Sequence, residues 1–204
     1  MARLPYYEVG SGNAEADAFL EESARRMEEH GLEPKLSNFM KEYANFPEFT
    51  SRFLHMLAYF HGDDAPLPRR TVELVHMAVM DRFKGEYGFT FHTMAALTAG
   101  LTRDQLRDIG NYKQSPAFDD ADKAILRHTD ELLTNGKVSE ESFREVVALL
   151  GEEGSFYLAA SIANSAMRTF LAGWCELDLD QYVLDELTAE DPELVPELRS
   201  HFHQ

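Results

Sequence analysis

Residues 156–174, FYLAASIANSAMRTFLAGW, limit what this chain can fold into more than any other stretch. They form its longest apolar region, broken by Ser161, Asn164, Ser165 and Arg168. That falls short of the roughly 20 apolar residues a bilayer span needs. Residues 152–174 therefore read as a long helix, apolar on most sides, that must be buried. Either one core of 204 residues wraps it, or a second chain helps to cover it.

The rest of the chain has helical period too. Asn13 is a plausible cap for a helix over 13–30 that stops at Gly31. Phe49, Phe53, Leu57 and Phe60 form a core stripe on a helix over 48–61, followed by a loop from Gly62 to Pro66. Pro68 suits the first turn of a helix that runs to Lys84 and stops at Gly85. A further helix covers 88–99. Thr102 and Gln105 signal a capping box for a short helix. Asn135-Gly136 ends the next helix, and Ser139 opens another that reaches Leu150. No strand pattern or repeat emerges, so the fold class is all-α. Residues 1–62 read as a helical extension, 65–176 as the compact core and 177–204 as an acidic tail.

Composition narrows the partners. A formal charge of −17 repels phosphate backbones and anionic membranes. Neither nucleic acid nor membrane is an expected partner. Cys175 is the lone cysteine, which excludes an intramolecular disulfide and suits a reducing compartment. The N-terminus lacks a signal-type apolar core, so a cytoplasmic location is expected.

Three residues could carry chemistry. Glu73 shares a helix face with His76, Met77 and Met80, and burial there would raise its pKa. The plain alternative is a surface glutamate at the core's edge. His92 lies on the face of Ala95, Ala96 and Ala99, directed at a neighbouring helix. It could be a general acid or base, or a satisfied interior histidine. Tyr87, between Gly85 and Gly88, could join a hydrogen-bond relay or simply pack. Glu73-Leu-Val-His76 is half of a di-iron motif, but no second Glu-x-x-His follows. No metal and no cofactor are expected. His201 and His203 sit in a tail too mobile for a catalytic site.

Read in order, these words resemble the carboxymuconolactone decarboxylase and AhpD-like family. LPRRTVELVHMAV resembles its Leu-x-x-Arg-x-x-Glu-Leu entry to a helix. EYGFTFHTMAALTAGLTRDQL resembles its tyrosine-aromatic-His segment, Ala-rich helix and Gly-Leu-Thr turn. FDDADKAILRHTDELLTNGKVSEESFREVVALLG resembles the downstream helix pair of longer, cysteine-free members. The likeness spans roughly residues 35–178. Peroxidase-type members place a Glu ahead of a Cys-x-x-Cys and a His, and Glu73 keeps that register, 12 residues before Gly85 and 19 before His92.

Both cysteine positions are glycine here, Gly85 and Gly88. A dithiol relay needs two sulfurs within reach, so thiol peroxidase chemistry is not expected. The decarboxylase branch carries a Glu four residues before the His, where this chain has Gly88. The resemblance then implies an AhpD-like helical core and cofactor-free acid–base work as a lyase or isomerase. A small carboxylated, lactone or aromatic-derived molecule is the implied substrate. His92 would move the proton, Glu73 would orient it, and Tyr87 would hydrogen-bond a developing enolate. Phe89, Phe91 and Asn164 would line the pocket, and the two glycines would leave room for a larger substrate. A trimer or hexamer is also implied. The competing expectation is a ligand-binding or non-catalytic family member.

Overall fold

The computed structural model describes residues 2–29, 34–61 and 65–203, with a few side chains of the first and third helices excepted. Gly31 and Gly62, and the side chain of Leu57, lie outside what is described. Among the described residues every regular element is helical. In chain order they are α1 (Ala14–Glu29), α2 (Asn38–Tyr43), α3 (Pro47–His61), α4 (Arg69–Arg82) and α5 (Glu86–Thr98). Then come α6 (Arg103–Asp108), a 3-10 turn (Ile109–Asn111), α7 (Asp120–Asn135), α8 (Glu140–Cys175), α9 (Gln181–Glu190) and α10 (Leu194–Phe202).

The core forms around α4, which packs on α5, α7 and α8. Its residues 72–77, Val79 and Met80 are all buried, so this helix has almost no solvent face. Burying one such aliphatic side chain contributes about 1.5–3 kcal/mol. Truncating Leu74, which is fully buried, would cost about 2–5 kcal/mol. Two polar residues, Glu73 and His76, are held in the same interior.

Local signals set the helix ends. Thr102 and Gln105 form the capping box, and Ser139 accepts from the Ser142 amide to open α8. Gly136 stops α7 in the left-handed region at φ 68°. Gly151 (φ 74°, ψ 174°) bends α8, dividing an amphipathic first part from the apolar part. By length and hydropathy one window of α8 could cross a membrane, yet its inner face packs on α4, α5 and α7.

The corner between α4 and α5 differs from the expected glycine stop. Lys84, not Gly85, takes the left-handed conformation, at φ 54°. The Gly85 amide donates to Met80 O at 2.7 Å and the Lys84 amide to Asp81 O at 3.1 Å. This is a Schellman turn with lysine where glycine is usual. Gly85 itself (φ −81°) is the N-cap of α5. The corner is tight, and it folds α5 back so that His92 faces Glu73.

Both ends of the chain are tied to the core. The Arg3 amide donates to Cys175 O at 2.8 Å, and the Asn38 amide to Asp180 Oδ1 at 2.8 Å. The C-terminal histidines are docked rather than mobile. His201 Nε2 lies 2.7 Å from Asp81 Oδ1, and His203 Nε2 lies 2.9 Å from Glu86 Oε1.

Candidate functional site

Glu73 on α4 is fully buried and holds three partners. Its Oε2 accepts from His92 Nδ1 at 3.0 Å and lies 3.7 Å from His76 Nδ1. Its Oε1 lies 2.5 Å from the Arg69 guanidinium, one helical turn earlier. Burial alone would raise this carboxyl's pKa, but the imidazoles of His76 and His92 turned toward it prevail and hold it well below its usual value. Glu73 is therefore ionised near neutral pH, opposite to the burial effect expected from the sequence.

The imidazoles lie between two opposite charges. His76 and His92 meet edge to face, with ring centroids 4.9 Å apart. Both turn Nδ1 to Glu73 and Nε2 to Arg168 of α8. Arg168 donates to His76 Nε2 at 2.9 Å, and its other terminal nitrogen is 3.5 Å from His92 Nε2. An arginine can only donate, so His76 Nε2 carries a lone pair and its proton sits on Nδ1. The shared arrangement gives His92 the same tautomer. Burial lowers both histidine pKa values, with Glu73 opposing and Arg168 reinforcing. Both rings are neutral near pH 7, and His92 presents a basic Nε2.

His92 lines a cavity of about 320 Å³. His92, Arg69 and Arg168 form its polar end, while Phe39, Met40, Met80, Phe91 and the Tyr87 ring supply apolar wall. Of the residues expected from sequence, His92, Phe91 and Tyr87 line it, and Glu73 stands directly behind His92.

Three assignments need correction. The Tyr87 hydroxyl cannot serve an enolate: it donates to Asp180 Oδ2 at 2.7 Å and accepts from the Phe39 amide at 3.0 Å. Burial, with Asp180 beside it, pushes this phenol far above its usual pKa. Phe89 faces away from the cavity and packs on His201 and Phe202. Asn164 is buried off the cavity wall, and its Oδ1 has no hydrogen-bond partner among the described residues. Nor do the glycines leave open room. A Cβ on Gly85 would come within 2.6 Å of Thr169 Cγ2, and one on Gly88 within 3.0 Å of Met80 Cε. Thr169 and Met80 fill that space.

Sequence reasoning missed Arg168, Arg69 and the role of His76. A lone arginine inside an apolar helix was the available signal. Cys175 offers no replacement thiol chemistry. It is buried, its Sγ contacts Glu42 Oε1 at 3.4 Å, and burial pushes its pKa up to about 11.

Glu73, His76 and His92 could by type hold a metal, since their ligand atoms lie within 4.8 Å of one another. Arg168 argues against that use. Its guanidinium occupies the Nε2 side of both rings, while Glu73 takes the Nδ1 side. A cation there would face a fixed cation, so the residues fit a metal poorly.

An all-helical fold around a buried Glu–His pair, with no thiol at the site, defines the class. Crystal structures place it among AhpD-like folds. A peroxidase-related protein with an alkylhydroperoxidase AhpD core, from Ralstonia eutropha JMP134, is similar at TM-score 0.75 and 14% identity, over 89% of this chain and 94% of that one. A peroxidase-related protein from Silicibacter sp. TM1040 is similar at TM-score 0.70 and 16% identity, over 87% and 93%. A cysteine-to-alanine variant of the debrominase Bmp8 in complex with 2,3,4-tribromopyrrole is similar at TM-score 0.69 and 18% identity, over 91% and 99%. No curated protein sequence matches this chain. Residues 45–131 match the model of the carboxymuconolactone decarboxylase family. The match includes Glu73, His76 and His92 but ends before Arg168.

Proposed function

We propose that the protein is a cofactor-free lyase or isomerase that moves a proton on a small, largely apolar organic substrate. One observation carries this reading: a neutral histidine whose Nδ1 is fixed by a buried carboxylate and which lines a cavity. His92 Nε2 takes a proton from carbon next to a carbonyl and returns it at another position or to a decarboxylated carbon. Glu73 keeps the tautomer and stabilises the imidazolium as it forms, as an orienting carboxylate does. Phe39, Phe91 and the Tyr87 ring supply flat apolar walls suited to a ring. The bound tribromopyrrole of the debrominase neighbour is consistent with a small ring in this fold. Thiol peroxidase activity is not part of the proposal, since the site holds no sulfur nucleophile.

The test is deuterium exchange from solvent into a panel of ring-bearing carbonyl, lactone and carboxylate compounds, followed by NMR. Proton transfer by a placed group is worth about 10²–10⁴-fold, so His92→Gln should lower the exchange rate at least that much. Full exchange by His92→Gln would overturn the mechanism.

A ligand-binding, non-catalytic role is the second reading. It draws on Glu73 being dry and ion-paired to Arg69 rather than open to the cavity. Exchange activity on any member of the panel decides against it. Assembly as a trimer or hexamer belongs to the proposal as well. Phe156, Phe170 and Trp174 lie exposed along one face of α8, and a second copy would cover them. Light scattering should give a multiple of 23.2 kDa; a stable monomer would rule the assembly out.

A further inference from the structure

Arg168 has no carboxylate within ion-pair distance among the described residues; its guanidinium meets only the two imidazole Nε2 atoms. Its Nε is buried without a hydrogen-bond partner among the described residues. Burial pushes its pKa down to about 10, so it stays charged near neutrality. The charged groups around His92 are Glu73 and Arg69 on α4 and Arg168 on α8, with neutral His76 and the Tyr43 phenol beside them. Among the described residues Arg69 neutralises Glu73 at 2.5 Å, which leaves the Arg168 charge at the cavity's polar end. A partly buried charge without a counter-charge is costly, and a guanidinium fits a carboxylate with two parallel hydrogen bonds.

We propose that Arg168 binds one carboxylate of an aromatic monoanion in this cavity, and that in the ligand-free protein it caps His92 Nε2 until that anion draws it away. The cap follows from geometry: the nitrogen that must act as base is the one Arg168 faces. A neutral compound would meet a masked base, whereas an anion would meet an uncapped one. The volume of about 320 Å³ is at the small end of ligand sites, at about 300–1,000 Å³, and suits a single substituted ring. The binding step stands independently; only the uncapping step rests on the proposed role of His92 as the base.

Benzoate and its neutral counterpart benzyl alcohol are the probes, titrated at fixed ionic strength by calorimetry and by ¹⁵N NMR of the full chain with labelled histidines. Benzoate should bind at least ~10-fold more tightly than benzyl alcohol and should move the His92 Nε2 resonance. Arg168→Gln should remove that preference, with Arg168→Lys in between. Circular dichroism checks that each variant folds. If both probes bind alike, or if Arg168→Gln keeps the benzoate preference, the anion site is wrong. Benzoate binding with a still Nε2 resonance would overturn the uncapping. Loss of exchange in His92→Gln alongside failed benzoate binding would retain the acid–base reading and reject only this inference. Tight benzoate binding with no exchange on any compound would do the reverse.

Discussion

Helix α5 separates two hollows of similar size and opposite chemistry. On one side lies the cavity of about 320 Å³ beside His92 and Arg168. On the other lies one of about 250 Å³ between α5, α6 and α10, lined by Phe89, Thr93, Arg103 and His201. Arg168 and His92 line the first, Arg103 and His201 the second. On the second side both are matched to acids: Arg103 pairs with Asp191 and Glu197, and His201 with Asp81. On the first side the histidines share one buried carboxylate, and among the described residues Arg168 meets only imidazole nitrogens. Concavity therefore does not mark the site. On the proposed reading the two sides differ at one charge: Arg168 has no matching acid among the described residues, whereas Arg103 has two.

Replacing the two histidines in turn tests this contrast most strongly. His92→Gln should cost at least about 100-fold in exchange rate. His201→Gln should leave the rate almost unchanged and reduce only how well α10 docks. A comparable rate loss from both would collapse the distinction between the two sides.

The next effect concerns the floor of the His92 cavity. Gly85→Ala places a methyl group 2.6 Å from Thr169 Cγ2, and a β-branched side chain cannot turn aside easily. Overpacking of this kind costs about 1–3 kcal/mol. Thr169→Ser removes the obstructing methyl and keeps the hydroxyl bonded to Ser165 O. The two changes together should be less destabilising than their sum, with a coupling of at least about 0.5 kcal/mol in urea unfolding. Strict additivity would mean that Gly85 is not packed against Thr169. Gly88→Ala meets the flexible end of Met80 and should cost less. Cysteines placed at both glycine positions would thus need Thr169 to change as well.

The same contrast explains what could be read from the sequence. The helical class, the capping box at Thr102 and the stop at Gly136 depend on neighbours a few residues apart, and period and cap chemistry reveal them. The Glu73–His92 pair was legible because its spacing fixes a register across one tight corner. The partner of Tyr87 is Asp180, 93 residues further on, and no local pattern could show that its hydroxyl was taken. Arg168 was visible as a charge in an apolar helix, but its meaning depends on two rings from α4 and α5. Helix α2 escaped notice because six residues are too few to show a period. At the α4–α5 corner, Lys84 took the left-handed position because Gly85 was needed as the next cap, where φ is negative.

Acid should separate the two sides of α5 by the pH at which each begins to lose stability. His76 and His92 are buried as neutral rings, and their folded pKa values lie below the ordinary histidine value of 6.5. The unfolded chain then binds more protons than the folded one below that pH, so stability falls as pH drops from about 6.5, by at most about 1.4 kcal/mol per pH unit for each ring. His128, also lowered by burial, adds to the slope. On the other side the titrating group is Asp81. Burial opposes its ionisation, but His201 and Lys84 prevail and lower its pKa from 3.8. Its contribution is present above that value and is lost only as pH falls further. Glu73, held low in the same way, is lost in a similarly acidic range. Glu42 and Asp180, whose carboxyls burial raises, act in the opposite sense within the carboxylate range. Urea unfolding between pH 7 and 5 should therefore show a falling midpoint in the native chain. His92→Gln should flatten that fall, while Asp81→Asn should leave it intact. An unchanged slope in His92→Gln would mean that its ring is already protonated at neutral pH and cannot be the resting base.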